Sequence, residues 1–277
     1  MPPELIGHRG ARARYPENTL EGFRAASAAG CRHFEIDVGM TRDGVLVLSH
    51  DSTLNPDFTR DPSGEWLQNR PVIHDLAFDA LQTYDVGRIR PGTKTARLFT
   101  DQQPIDGARI PTLDAVLRLD DVTRWTIEIK TSPREPSLTA APEAIAEQVA
   151  AVADQAGAAS RIVVQSFDWR GPRHLRRQRP DLAYAWLTSR DTRAWRRGLG
   201  RLPGAVAGEG GGTWTPHYDE LTPRLLAAAH RLGLRVTPWT VNAPGDIARL
   251  AEWGVDGIIT DDPALAQSVL LDRVSPR

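Results

Sequence analysis

Glu35 and Asp37 stand two residues apart in an apolar run, HFEIDVGM, and Glu128 and Lys130 stand two apart in another, WTIEIK. Side chains alternate along a strand, so each charged pair faces one side while Ile36, Val38 and Met40, or Ile127 and Ile129, face the other. Three carboxylates gathered at low dielectric repel one another unless something neutralises them. A hard divalent cation does that, and an all-oxygen set without cysteine points to Mg2+ or Ca2+ ahead of Zn2+. His8 closes a short apolar run, ELIGH, and His50 closes another, VLVLSH. A free imidazole titrates near neutral pH, so across such an ion two histidines could make an acid/base couple. Arg9 and Lys130 add positive charge suited to a phosphate. Plainer readings exist for each: a buried Glu–Lys pair can be structural, a lone histidine often belongs to the core, and a charged hairpin face is commonly solvated.

These residues must be held by strands. Apolar runs at 4–8, 33–40, 125–130, 161–167, 182–188, weakly within 204–215, 235–241 and 255–260 alternate with helical patterns, the sequence form of βα units around a parallel sheet. Eight such strands are the number of a TIM-type (β/α)8 barrel, whose strand ends converge on one mouth where catalytic groups sit. The run 45–50 reads as an antiparallel return, with Asp43-Gly44 as a two-residue turn that sets Asp37 opposite His50. Opposed side chains lie roughly 5 Å apart at Cβ, so Glu35, Asp37 and His50 would share one face. Helix starts are expected at Asn18, as a capping box with Glu21, and at Thr222-Pro223 and Asp262-Pro263. Residues 51–111, polar and rich in Pro, Gly and Asp, interrupt the alternation and read as a structured insertion with a helix near 76–84. One barrel domain over residues 1–277, with the insertion at about 51–111, is the expected organisation.

Further polar residues recur at strand ends: Gln165, Ser166, Asn242, Thr260 and Asp261. Trp239, three residues before Asn242, is expected to line the mouth, with Trp214 and Tyr218 as companions in an aromatic wall that could hold a quaternary ammonium. His33, His74, His174 and His230 have no comparable setting and read as structural, with His217 the least certain.

At 277 residues the chain can form one α/β barrel, typically about 250 residues long. A net charge of −1 gives no footing for nucleic acid or an anionic membrane. A single cysteine, Cys31, permits no internal disulfide, and no run of about 20 apolar residues offers a membrane anchor. The N-terminus lacks a basic segment followed by an apolar stretch, so the expected protein is soluble and cytoplasmic. Nothing marks an oligomer interface.

With these residues in place, the sequence resembles the glycerophosphodiester phosphodiesterases. The likeness is carried by HRGARARYPENT (8–19), EIDVGMTRDGVLVLSHD (35–51), IPTLDAVL (110–117), IEIK (127–130), QSF (165–167), PWTVN (238–242) and GVDGIITDDP (254–263), in family order along nearly the whole chain. The resemblance implies a TIM-type barrel with an insertion after the second strand unit. It also implies a divalent metal on Glu35, Asp37 and Glu128, His8 and His50 as general base and acid, and Arg9 and Lys130 at phosphate-contacting positions. The implied reaction cleaves a small-molecule glycerophosphodiester to sn-glycerol 3-phosphate and an alcohol such as choline or ethanolamine. Trp239 and Asn242 stand as further substrate-binding candidates. Two stretches depart from the commoner pattern: Asn55-Pro56-Asp57 precedes Thr59 and Arg60 where an Arg and Thr pair is common, and 208–221 is unusually rich in glycine. Both flank the expected mouth and bear on alcohol specificity. A lysophospholipase D-like enzyme and a silent phosphodiester-binding barrel are the rival readings.

Overall fold

The computed structural model describes residues 2–190 and 198–274. Among the described residues, nine strands form one sheet: β1 Glu4–His8, β2 His33–Met40, β3 Leu46–Leu48, β4 Arg124–Ile129, β5 Ile162–Ser166, β6 Ala183–Thr188, β7 Thr213–Pro216, β8 Arg235–Val236 and β9 Gly257–Thr260. Eight are parallel neighbours in the order β8-β7-β6-β5-β4-β2-β1-β9, and β3 pairs antiparallel with β2 outside that path. Three backbone bonds bridge the remaining gap between the β8 and β9 segments: Asp256 N to Val236 O, Ile259 N to Pro238 O and Val241 N to Ile259 O. The result is a nearly closed (β/α)8 barrel, as the alternating pattern predicts.

The strand expected over 235–241 is regular only at Arg235–Val236, because Pro238 has no N–H for a ladder. The weak strand sought within 204–215 lies at Thr213–Pro216, after a helix at Leu202–Gly208. Thr222 and Asp262 cap their helices by accepting from Leu225 N and Leu265 N. The expected cap at Asn18 is corrected: Thr19 accepts from Gly22 N, because the Asn18 side chain is engaged elsewhere.

Outward faces of the strands pack against the helices. Ile36, Val38, Ile127 and Ile129 join Ile145 and Val149 of the Pro142–Gln155 helix in the main core, and burial of such side chains contributes about 1.5–3 kcal/mol each. Residues of the insertion build a smaller core of their own, from Leu54, Leu67, Ile73, Leu81, Val86 and Ile110 around Val47 of β3. Its expected helix is the single turn Phe78–Leu81. No described helix is long and apolar enough to cross a membrane.

The hairpin corrects the expected register. Val38 pairs with Leu48 and Met40 with Leu46, so Asp37 lies opposite Ser49, whose N–H it accepts, and not opposite His50. The turn takes three residues: Thr41 N bonds Val45 O, and Gly44 at φ +81° supplies the left-handed step. Asp43 holds this longer turn by accepting from Thr41 Oγ1 and from Phe78 N of the insertion.

Candidate active site

Parallel pairing places Glu35 beside His8 and Asp37 beside Glu128. Ligand oxygens of Glu35, Asp37 and Glu128 lie within 4.8 Å of one another, all three residues buried, at the C-terminal end of the barrel. Burial, together with the Asp37 and Glu128 charges, pushes the Glu35 carboxyl well above its usual range. Burial acts on Asp37 too, but Arg9 and Lys130 outweigh it and hold that carboxyl well below its usual range. Lys130 Nζ donates to Glu128 Oε1 at 2.8 Å and stands 3.6 Å from Asp37 Oδ1. Arg9 donates from its NH1 to Glu17 at 3.0 Å, while its Nε lies 3.1 Å from Asp37 Oδ2 without the alignment of a hydrogen bond.

The loop between β1 and the Leu20–Ala28 helix is strained to bring these groups in. Arg9 (φ 53°) and Asn18 (φ 52°) are the non-glycine residues of the described chain in the left-handed region, a conformation that Asn tolerates and Arg adopts only at a cost. They brace each other through Asn18 N to Arg9 O, and Arg9 N bonds Glu35 O. Gly7 permits the tight fold-back, since a Cβ there would meet Gly10 O at 2.0 Å. Asn18 Nδ2 then donates to Asp37 Oδ2 at 3.0 Å, and Gln165 Nε2 reaches Glu35 Oε1 at 3.4 Å.

Both candidate histidines have an aspartate partner. His8 Nδ1 meets Asp261 Oδ1 at 2.6 Å, and its Nε2 faces Glu35 Oε2 at 3.8 Å. Asp261 also accepts from Arg12 Nε at 2.7 Å and Asn242 Nδ2 at 2.7 Å. Burial and the Arg9 charge pull the His8 pKa down to about 4 despite Asp261. Ionised Asp261 can only accept, so Nδ1 carries the ring proton and Nε2 is left as an acceptor. His50 Nδ1 meets Asp51 Oδ1 at 2.8 Å, and Asp51 is steadied by Asn55 at 3.0 Å. His50 reaches the mouth by the bend after β3, where it lines a cavity of about 340 Å3 together with Lys130.

Eight buried side-chain polar atoms of the described residues lack a hydrogen-bond partner, and five of them sit here: Arg9 Nε, Asn18 Oδ1, Glu35 Oε2, Asp37 Oδ1 and Gln165 Oε1. An orphaned buried polar atom costs about 1–3 kcal/mol, so such a concentration marks a place built for something else. Four oxygens, two of them carboxylate, are the donor chemistry of a hard divalent cation, so the residues fit one.

The expected residues divide as follows. His8, Arg9, Glu35, Asp37, Glu128 and Lys130 come together, and His50 joins Lys130 at the cavity. Trp239 stands at the mouth in T-shaped contact with Phe167 at 5.2 Å and His217 at 5.0 Å, with Tyr218 beside His217. Trp214 is not a mouth residue: its side is the helix-facing one, it is fully buried, and its Nε1 donates to Thr188. Asn242 uses its amide on Asp261 and its carbonyl on Asp261 N and Thr260. Glu17, Arg12, Asp51, the site role of Asn18 and the partner role of Asp261 were not singled out by the sequence; the one signal for them is their position beside His8, His50 and the last strand.

A (β/α)8 barrel that gathers buried carboxylates, paired cations and two aspartate-backed histidines at its mouth is a hydrolase equipped for phosphoryl chemistry. The model of the Glycerophosphoryl diester phosphodiesterase family matches residues 8–265. A glycerophosphodiester phosphodiesterase of Caldanaerobacter subterraneus subsp. tengcongensis is 30% identical over 262 residues, 94% of each chain. A crystal structure from Silicibacter pomeroyi DSS-3, given the family's description provisionally, has a TM-score of 0.92 at 39% identity and covers 98% of this chain and 94% of its own. An Oleispira antarctica phosphodiesterase, solved with its product sn-glycerol-3-phosphate, shares the fold at TM-score 0.73 and 20% identity, with 97% of each chain covered. The chain belongs to the glycerophosphoryl diester phosphodiesterase family.

Proposed function

We propose that the protein hydrolyses glycerophosphodiesters to sn-glycerol 3-phosphate and an alcohol. The observation that carries this reading is the cluster of orphaned buried atoms around Glu35, Asp37 and Arg9, which a cation and a phosphate would together satisfy. Glu35, Asp37 and Glu128 would hold Mg2+ or Ca2+, which when bound polarises a phosphate oxygen and acidifies the attacking hydroxyl. Arg9 and Lys130 neutralise charge on the phosphate, Arg9 through the Nε that lacks an aligned partner. His8, kept neutral by burial, takes the proton of the attacking hydroxyl on Nε2, with Asp261 fixing its tautomer. His50, at the more open side, gives a proton to the departing alkoxide, with Asp51 holding its ring. Trp239 contributes a flat apolar wall, and Asn242 supports Asp261.

The test is release of glycerol 3-phosphate from a panel of glycerophosphodiesters, with Mg2+, with Ca2+ and with chelator. Turnover that needs the cation and disappears in Glu35→Ala supports the proposal; folded, metal-loaded protein without turnover on any member overturns it.

A further inference from the structure

The cavity beside His50, at about 340 Å3, falls near the lower end of the ~300–1,000 Å3 usual for small-molecule sites. Its walls come from the insertion, through Ser52, Thr53 and Arg70, and from the segment after β4, through Lys130, Ser132 and Thr139. The hydroxyls of Ser52, Thr53 and Ser132 make no hydrogen bond among the described residues, and Thr139 Oγ1 accepts from Ser132 N at 3.3 Å. Arg70 is exposed and has no ion-pair partner among the described residues. Asp51, the one carboxylate in the wall among the described residues, is already engaged by His50 and Asn55. Among the described residues no Phe, Tyr or Trp ring lines the cavity; those rings of the mouth gather at Trp239 and Phe167 instead.

A quaternary ammonium group is held by aromatic faces or by a free carboxylate. Here it would meet neither, and it would face the positive charge of Arg70, which has no ion-pair partner among the described residues. A polyhydroxylated alcohol meets the opposite: several unpaired hydroxyls and a guanidinium, each of which exchanges hydrogen bonds with it. Sites built this way discriminate strongly, because a partner without hydroxyls leaves the wall groups unpaired. Resting on the glycerophosphodiester reading, we propose that this cavity is the subsite of the leaving alcohol and that it selects a polyhydroxylated headgroup, such as glycerol or inositol, over choline. His50 in the same wall then stands beside the oxygen that departs.

The experiment compares kcat/KM for glycerophosphoinositol, glycerophosphoglycerol and glycerophosphocholine on the full chain with its cation. The polyol substrates are expected to lead by at least about tenfold, the lower end of what a pocket contact discriminates. Ser132→Ala should lower the polyol-to-choline ratio roughly fivefold, the worth of one hydrogen bond. Arg70→Glu, at an exposed position that the fold tolerates, should shift the same ratio toward choline. Choline ranking equal or first, or substitutions that change all three substrates alike, would overturn the headgroup assignment and leave the reaction standing. No glycerol 3-phosphate from any of them would overturn both.

Discussion

At the floor of the barrel, His33 is held on both ring nitrogens, by Glu4 at 2.9 Å and by Thr126 at 2.8 Å, and Glu4 also receives Arg124 at 2.7 Å. At the mouth, Glu35 and Asp37 are as deeply buried, yet each keeps an oxygen with no donor. Both ends gather charged and titratable groups, at the floor with Glu4 and Arg124 partly open to solvent and at the mouth with the carboxylates buried, and a survey of charged residues alone would not tell them apart. The difference is satisfaction: the floor closes its own hydrogen bonds around a void of only about 30 Å3, whereas the mouth leaves carboxylate and amide oxygens without donors. Charge on a barrel face thus reads as chemistry when its partners are missing and as architecture when they are present.

The contrast can be broken first at the mouth. Glu35→Gln should cost at least about 10²-fold in turnover while the metal-free protein melts no lower than the parent, because a like charge has been removed; a large drop in Tm would make Glu35 structural. Next, saturating Mg2+ or Ca2+ should stabilise the parent by about 2.7 kcal/mol at a hundred times Kd and leave Glu35→Gln nearly unmoved, as read by thermal melts with and without chelator. At the floor the order reverses. His33→Ala should cost about 1–3 kcal/mol in chemical denaturation by stranding Glu4 and Thr126, with turnover per folded molecule unchanged.

Acidity sharpens the same point. Burial lowers the His33 pKa against the pull of Glu4, so the folded state binds fewer protons there than the unfolded chain. Its contribution to stability is full above the ordinary histidine value of about 6.5 and declines as pH falls through the lowered value. His33→Gln should flatten that part of the stability curve; an unaltered slope would assign it to other groups. The smallest effect belongs to the floor's rim, where Arg235→Ala removes an exposed 3.4 Å contact with Glu4 and should stay within about 0.5 kcal/mol.

Much of this was legible in the sequence, for identifiable reasons. Period-two alternation identified the inward faces of β2 and β4, and with them Glu35, Asp37, Glu128 and Lys130. The hairpin register was not legible, because Asp43-Gly44 fits a two- or a three-residue turn and the choice is made by Phe78, 35 residues away. Trp214 was misplaced because the strand begins at Thr213, which turns Thr215 inward and the indole outward. Asp261 was placed at the end of the last strand, but its pairing with His8 and Arg12, from the other end of the chain, was not legible. Local pattern finds faces; partners across sequence separations above 200 residues come only with closure of the barrel.

That closure has a weak point. Three backbone bonds span the seam between the β8 and β9 segments, and Pro238 contributes an acceptor but no donor to it. The Asn242–Asp261 contacts bridge the same seam. Regions with few ladder bonds open at lower free energy than the whole molecule. The seam is therefore expected to open first, and amide exchange at Val241 and Ile259 should run ahead of that in β2 and β4. Each such opening would take Asn242 from Asp261 and leave Arg12 to hold it, so on heating the His8–Asp261 contact should slacken while the rest of the barrel keeps its shape.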